Sequence, residues 1–195
     1  MSRFLFIKLF LLSICFSGAT LVWAQKDISE QAWRQIKTLK GIPTKAGMTA
    51  RSVFVFFDPN CPYCAKLWQA KINNQTFREI PAVWIPVTYL GDSALGKGAA
   101  LLRTGSPSSL EQNFTKFDYE KRQGGIDSVV ATDKEKRELG QAKAVWMDLG
   151  AATPLIVYRH KNGKISSMLG LPSDEKLSEI SNQFAPSFLS VLPSK

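Results

Sequence analysis

The sequence predicts an α/β fold around one sheet, in the order β–α–β, a helical insertion, then β–β–α. Three observations carry that expectation. Ser52-Val53-Phe54-Val55-Phe56-Phe57 is almost unbroken in its apolar, β-branched and aromatic content, which reads as a strand buried on both faces. A helix follows with Ala65, Leu67, Trp68 and Ile72 on one side, and Ala82 to Thr88 then reads as a second strand. Nearer the C-terminus, Leu155–Tyr158 and Lys164–Leu169 flank a turn containing Asn162-Gly163, a pair that favours hairpins.

Taken in order, Met1-Ser2-Arg3 and Lys8 are basic, Leu9 to Ala19 is mostly apolar, and Val22-Trp23-Ala24 offers small residues at signal-peptidase positions. Residues 1–24 therefore read as a cleavable secretory leader, and the apolar run is too short for a confident membrane span. Residues 25–51 form a lead-in. Ile28, Ala32, Ile36 and Leu39 make one helical stripe from Asp27 to Lys40, with Asp27 and Glu30 at capping-box spacing. Residues 52–195 form the main domain. Pro86 cannot donate to a ladder, so the strand carrying it is expected at a sheet edge.

Residues of about 91–150 form the insertion. Its clearest piece is Asp133 to Leu149, with a capping box from Thr132 and Glu135, an apolar side of Leu139, Ala142, Trp146 and Leu149, and Gly150 for a left-handed end. Ser173 caps the last helix, which buries Leu177, Ile180 and Phe184.

Charge excludes little but gives no nucleic-acid signal. Removing the leader lowers the basic residues from 25 to 23 against 16 acids, a formal charge of +7 spread over mixed-sign segments such as Asp133-Lys134-Glu135-Lys136. Cleavage also removes Cys15 and leaves 171 residues, enough for one core without disulfide staples. Two cysteines and the single His160 are too few for a closed zinc site, so no metal and no cofactor is expected.

The remaining pair, Cys61-Pro62-Tyr63-Cys64, lies where the first strand gives way to its helix. An ordinary thiol ionises near pH ~8.5, and the unpaired N–H groups and dipole of a helix N-terminus favour the thiolate. Pro62 suits the first helical position because its missing N–H costs nothing there. Cys61 is thus the expected nucleophile and Cys64, one turn in, the resolving thiol. Strand, C-x-x-C and helix together read as a thioredoxin-like redox site. In that order of elements, Thr153-Pro154 fits a cis bond opening the strand that faces the cysteines; a plain strand-opening proline is the alternative. Pro62, Tyr63, Thr153 and Pro154 are the expected substrate groove.

Asp58-Pro59-Asn60-Cys61-Pro62-Tyr63-Cys64 with Trp68, then Met147-Asp148-Leu149-Gly150, Thr153–Tyr158 and Gly170-Leu171-Pro172-Ser173, resemble the periplasmic thiol:disulfide interchange proteins of the DsbG/DsbC type, on the DsbG side. The resemblance runs from about Val53 to Ile180. It implies a thioredoxin fold with a helical insertion, reductase or isomerase work on protein disulfides or sulfenic acids, and a membrane electron donor of the DsbD type. Family members also carry an N-terminal dimerisation domain, for which residues 25–51 are too short. A monomer with weak isomerase activity is therefore expected. A DsbA-like oxidase and a thiol-dependent chaperone or copper-handling module are the competing readings. Trp33, Trp84 and Trp146 are expected in the core, Trp68 beside the site and His160 in an exposed turn.

Overall fold

The computed structural model describes residues 25–45, 53–73, 78 and 80–184; the expected leader (1–24), Ser52 and the Phe184 side chain lie outside the described parts. The elements are β1 (Gln25–Asp27), α1 (Glu30–Thr38), β2 (Ile42–Pro43), β3 (Val53–Phe57), α2 (Pro62–Asn73), β4 (Ala82–Pro86), α3 (Ser93–Thr104), α4 (Pro107–Thr115), α5 (Asp133–Asp148), β5 (Leu155–Arg159), β6 (Ile165–Leu169) and α6 (Asp174–Phe184). One sheet has the order β1-β6-β5-β3-β4-β2. β3 and β4 pair in parallel across the α2 crossover, and the other pairs are antiparallel.

β3 lies at the centre because its side chains serve two cores. Side chains alternate across a strand, so Val53, Val55 and Phe57 face one side and Phe54 and Phe56 the other. The first set packs with Leu67 and Trp68 of α2, Leu110 and Phe114 of α4, and Leu177 and Ile180 of α6. The second packs with Trp33 and Ile36 of α1 and with Ala142 and Trp146 of α5. Every β3 residue is buried, which accounts for the unbroken apolar run. Trp33 meets Phe54 edge-on at 5.1 Å, and Trp84 meets Phe57 at 5.5 Å.

Three local expectations are corrected. α1 begins at Glu30, not Asp27: the Ser29 hydroxyl accepts the Ala32 N–H at 3.1 Å, while residues 25–27 pair with Met168, Ser167 and Ser166 of β6. β4 is not an edge strand, because β2 covers its outer side at Val83 and Trp84. Pro86 is tolerated because it lies past the end of β2. His160 is half-buried rather than exposed, hydrogen-bonded through Nε2 to Ser166 Oγ at 2.9 Å and packed on Tyr158.

The insertion consists of α3, α4 and α5. Thr132 and Glu135 form the expected capping box, and Arg103 of α3 grips the Glu135 carboxylate with two hydrogen bonds of 2.8 Å. The Arg103 hydrogen bond, then the Thr132 N–H, hold that carboxyl down to about 2. One residue thus ties the start of α5 to α3. Thr132→Ala removes the cap and is expected to lower unfolding free energy by about 1 kcal/mol, read from the urea midpoint at unchanged slope. No measurable change would show that Arg103 alone holds the helix start.

Candidate active site

β3 ends at Phe57, and the next seven residues build the site. Asp58 is fully buried, and its carboxylate accepts three backbone N–H groups: Asn60 at 2.7 Å, Tyr89 at 2.8 Å and Leu90 at 3.0 Å. Burial raises its pKa, and these bonds oppose the rise. Asn60 extends the tie. Its Nδ2 donates to Leu90 O (2.8 Å) and Ser93 Oγ (2.9 Å), while its Oδ1 accepts from Gly124 N (3.1 Å). Gly124 sits so close that a Cβ would overlap the Asn113 side chain and the Pro59 carbonyl. Two distant loops are thereby fixed to the residue before Cys61.

Cys61 caps α2. Its carbonyl accepts from Cys64 N and Ala65 N, both at 3.1 Å, and Pro62 opens the helix. Its sulfur takes the place of a capping oxygen, receiving the Cys64 N–H at 3.4 Å. As a thiol, Cys61 also donates to the Thr153 carbonyl at 3.5 Å. The hydrogen bond with the Cys64 thiol, and a further one with the Thr153 side chain, bring Cys61 down to about 7 against the opposing effect of burial. Cys64 is fully buried, and burial, then the bond with Cys61, push its thiol well up. One sulfur is half-ionised near neutral pH and its neighbour is held protonated.

A groove of about 770 Å³ opens over Cys61. Pro62, Tyr63 and Thr153 line it, with Tyr63 exposed. Pro154 is buried beside it, joined to Thr153 by a cis peptide bond. Trp68 does not line this groove. It packs in the core with Trp84 (5.2 Å) and Phe114 (5.8 Å).

Tyr89 and Trp146 were not anticipated as site residues. Their rings stack at 4.7 Å. Trp146 Nε1 donates to Ala152 O at 2.7 Å, and Tyr89 Oη lies 2.6 Å from Thr153 Oγ1. After α5 the chain turns through Gly150 (φ +121°) and Ala151 (φ +52°), which brings residues 152–154 under these two rings. Burial pushes Tyr89 up to about 12, so it stays protonated and able to donate to Thr153. With Tyr89 donating, the Thr153 hydroxyl proton is free for the Cys61 thiolate. Tyr89 had no local signal, being 64 residues from Thr153, and Trp146 was read from its apolar stripe only as the core residue that it also is.

A central sheet with a helix-capping cysteine pair facing a cis-proline segment defines a thioredoxin-like fold. The sequence is similar to the thiol:disulfide interchange protein DsbG of Pseudomonas aeruginosa, 24% identical over 82% of this chain and 61% of that protein. It is also similar to DsbG of Escherichia coli, 28% identical over 66% of this chain and 51% of that protein. The chain thus spans about half to three fifths of the curated relatives it matches. No protein-family model matches the sequence. Among solved structures, a periplasmic thioredoxin-like protein from Salmonella enterica serovar Typhimurium shares the fold, with a TM-score of 0.58 at 15% identity over 83% of this chain and all of that one.

The pH dependence follows from the shifts. Thiolate alkylates and thiol does not, so alkylation of the reduced protein should rise with pH through a midpoint of about 7 for Cys61, with Cys64 silent until far higher pH. Tyr89→Phe removes the hydrogen bond between the Tyr89 and Thr153 hydroxyls. It should move the Cys61 midpoint up by roughly half to one pH unit, the worth of one hydrogen bond. An unchanged midpoint would separate Tyr89 from the sulfur.

Proposed function

We propose that the protein is a periplasmic thiol–disulfide oxidoreductase working through Cys61 and Cys64 as a disulfide or sulfenic-acid reductase. The observation that carries this reading is the asymmetry of the pair: both cysteines are buried, but only Cys61 lines the groove, with its pKa lowered to about 7, while Cys64 lies behind it with a raised pKa. The similarity to two DsbG proteins supports the same chemistry.

The cycle transfers two electrons. The Cys61 thiolate attacks one sulfur of a substrate disulfide, forming a mixed disulfide and releasing the other sulfur as a thiolate that takes a proton from water. With a sulfenic acid the leaving group is hydroxide instead. Cys64 then loses its proton and attacks the Cys61 sulfur, releasing the reduced substrate and leaving a Cys61–Cys64 disulfide. A membrane electron donor of the DsbD type reduces that disulfide and restores the dithiol. Thr153, with Pro62 and Tyr63, forms the wall along which the substrate backbone lies, and the buried Pro154 backs it. The proposed protein is a monomer, and light scattering at micromolar concentration checks this; a dimer overturns it.

The competing reading is a DsbA-like oxidase. A nucleophile near 7 favours the reductase side, since strongly oxidising dithiols of this fold depress the nucleophile to about 3.5 and so stabilise their reduced form. Two measurements separate the readings. Cys61→Ser should abolish exchange, and Cys64→Ser should accumulate mixed disulfides with substrate; trapping by Cys61→Ser would reverse the roles. Acid quenching and thiol alkylation in cells should find the pair mostly reduced, whereas a mostly oxidised pair would favour the oxidase. Retention of the cellular effect in the double serine variant would point to a binding module without redox turnover.

A further inference from the structure

The groove has a basic lip that the exchange chemistry does not use. Between α4 and α5 the chain makes a small loop in which the backbones of Asp118 and Gln123 pair in both directions, at 2.8 and 3.0 Å. Lys121 and Arg122 lie within it, both exposed and both lining the groove with Cys61. The loop is anchored. Gly124 N donates to Asn60 Oδ1, the Lys97 ammonium donates to Gly124 O, and Gly125 N donates to Asn113 O at 2.8 Å. Its position relative to Cys61 is therefore fixed through the neighbouring Asn60.

Arg122 is unusual in two respects. Its backbone is left-handed (φ +51°), a conformation that non-glycine residues adopt only when the surroundings impose it. Its guanidinium has no hydrogen-bond or ion-pair partner among the described residues, whereas Lys121 is shared with Asp118 at 3.5 Å. Asp92 is the one carboxylate among the groove-lining residues; the loop's own acids, Asp118 and Glu120, lie outside the lining, and Asp118 takes Lys121, so Arg122 is the cation left to face the groove. A guanidinium presents a planar fork that matches a carboxylate with two hydrogen bonds. Tyr63 and Tyr89 give the same groove aromatic walls for the flanking peptide.

We propose that Arg122, assisted by Lys121, is a specificity-determining site that recognises a carboxylate flanking the reactive sulfur of an extended peptide substrate. This rests on the exchange reading above. The same chemistry is offered by the carboxylates of glutathione, and the groove's length of lining, from Asn60 to Thr153 and across to Gln123, favours the peptide.

The test uses short peptides whose single cysteine carries a neutral thiopyridyl group, so that Cys61 attack on the peptide sulfur releases pyridinethione and leaves a Cys61–peptide disulfide. One peptide has glutamate beside the cysteine, and its isostere has glutamine. With the reduced wild-type protein, the glutamate peptide should react roughly two- to fivefold faster at low ionic strength, the size expected for exposed charge pairs, and the advantage should shrink with salt. In Arg122→Gln/Lys121→Gln the ratio of the glutamate-peptide to the glutamine-peptide rate should fall to about one, with the thermal midpoint unchanged. Equal rates for the two peptides in the wild type, or an advantage that survives in the double variant, would overturn the proposal while leaving the exchange reading standing. Thiopyridyl-glutathione is the third arm: a larger loss for it than for the glutamate peptide would assign the lip to glutathione and overturn the peptide claim. No reaction with any of the three would sink the exchange reading, and this proposal with it.

Discussion

The buried Asp58 carboxylate is the constraint on which the site depends. A carboxylate out of contact with water must collect hydrogen bonds or become neutral. Asp58 collects them from Asn60, Tyr89 and Leu90, and so joins the end of β3 to the chain leaving β4. Everything at the groove follows from that tie. It sets Asn60, which holds two loops, and it sets Tyr89, which stacks on Trp146 and reaches Thr153. The Cys61 sulfur is then enclosed between its own helix and a segment held from both sides.

What the sequence made legible depended on distance along the chain. The cysteine pair was readable because its chemistry is local: residues three apart, at the step from strand to helix. β3 was readable because burial on both faces leaves no polar residue to confuse its pattern. The capping box at Thr132 and Glu135 was readable for the same local reason, whereas the Arg103 grip on Glu135 spans 32 residues and left no mark. β1 was missed because Gln25-Lys26-Asp27 joins the sheet through its backbone pairing with β6, and a polar three-residue strand has no periodicity to detect.

The site shows the same limit. Neither Asp58 nor Tyr89 carries a local mark of its role. Their importance lies in partners 31 and 64 residues away, which only the folded chain brings together. Trp68 misled for the complementary reason. Its position one turn beyond Cys64 suggested the groove, but a helix turns its side chains through 100° per residue, and this ring faces Trp84 and Phe114 inside the core.

The protonated state of Cys64 has a temporal consequence for the proposed cycle. A thiol that must first give up a proton against burial attacks slowly, so the covalent adduct on Cys61 persists. During that interval a second thiol on the bound substrate competes with Cys64 to resolve the adduct. If the substrate's own thiol wins, its disulfide is rearranged with no net electron transfer; if Cys64 wins, the substrate leaves reduced. In that proposed cycle, the depth at which one sulfur is buried acts as a clock that divides shuffling from reduction.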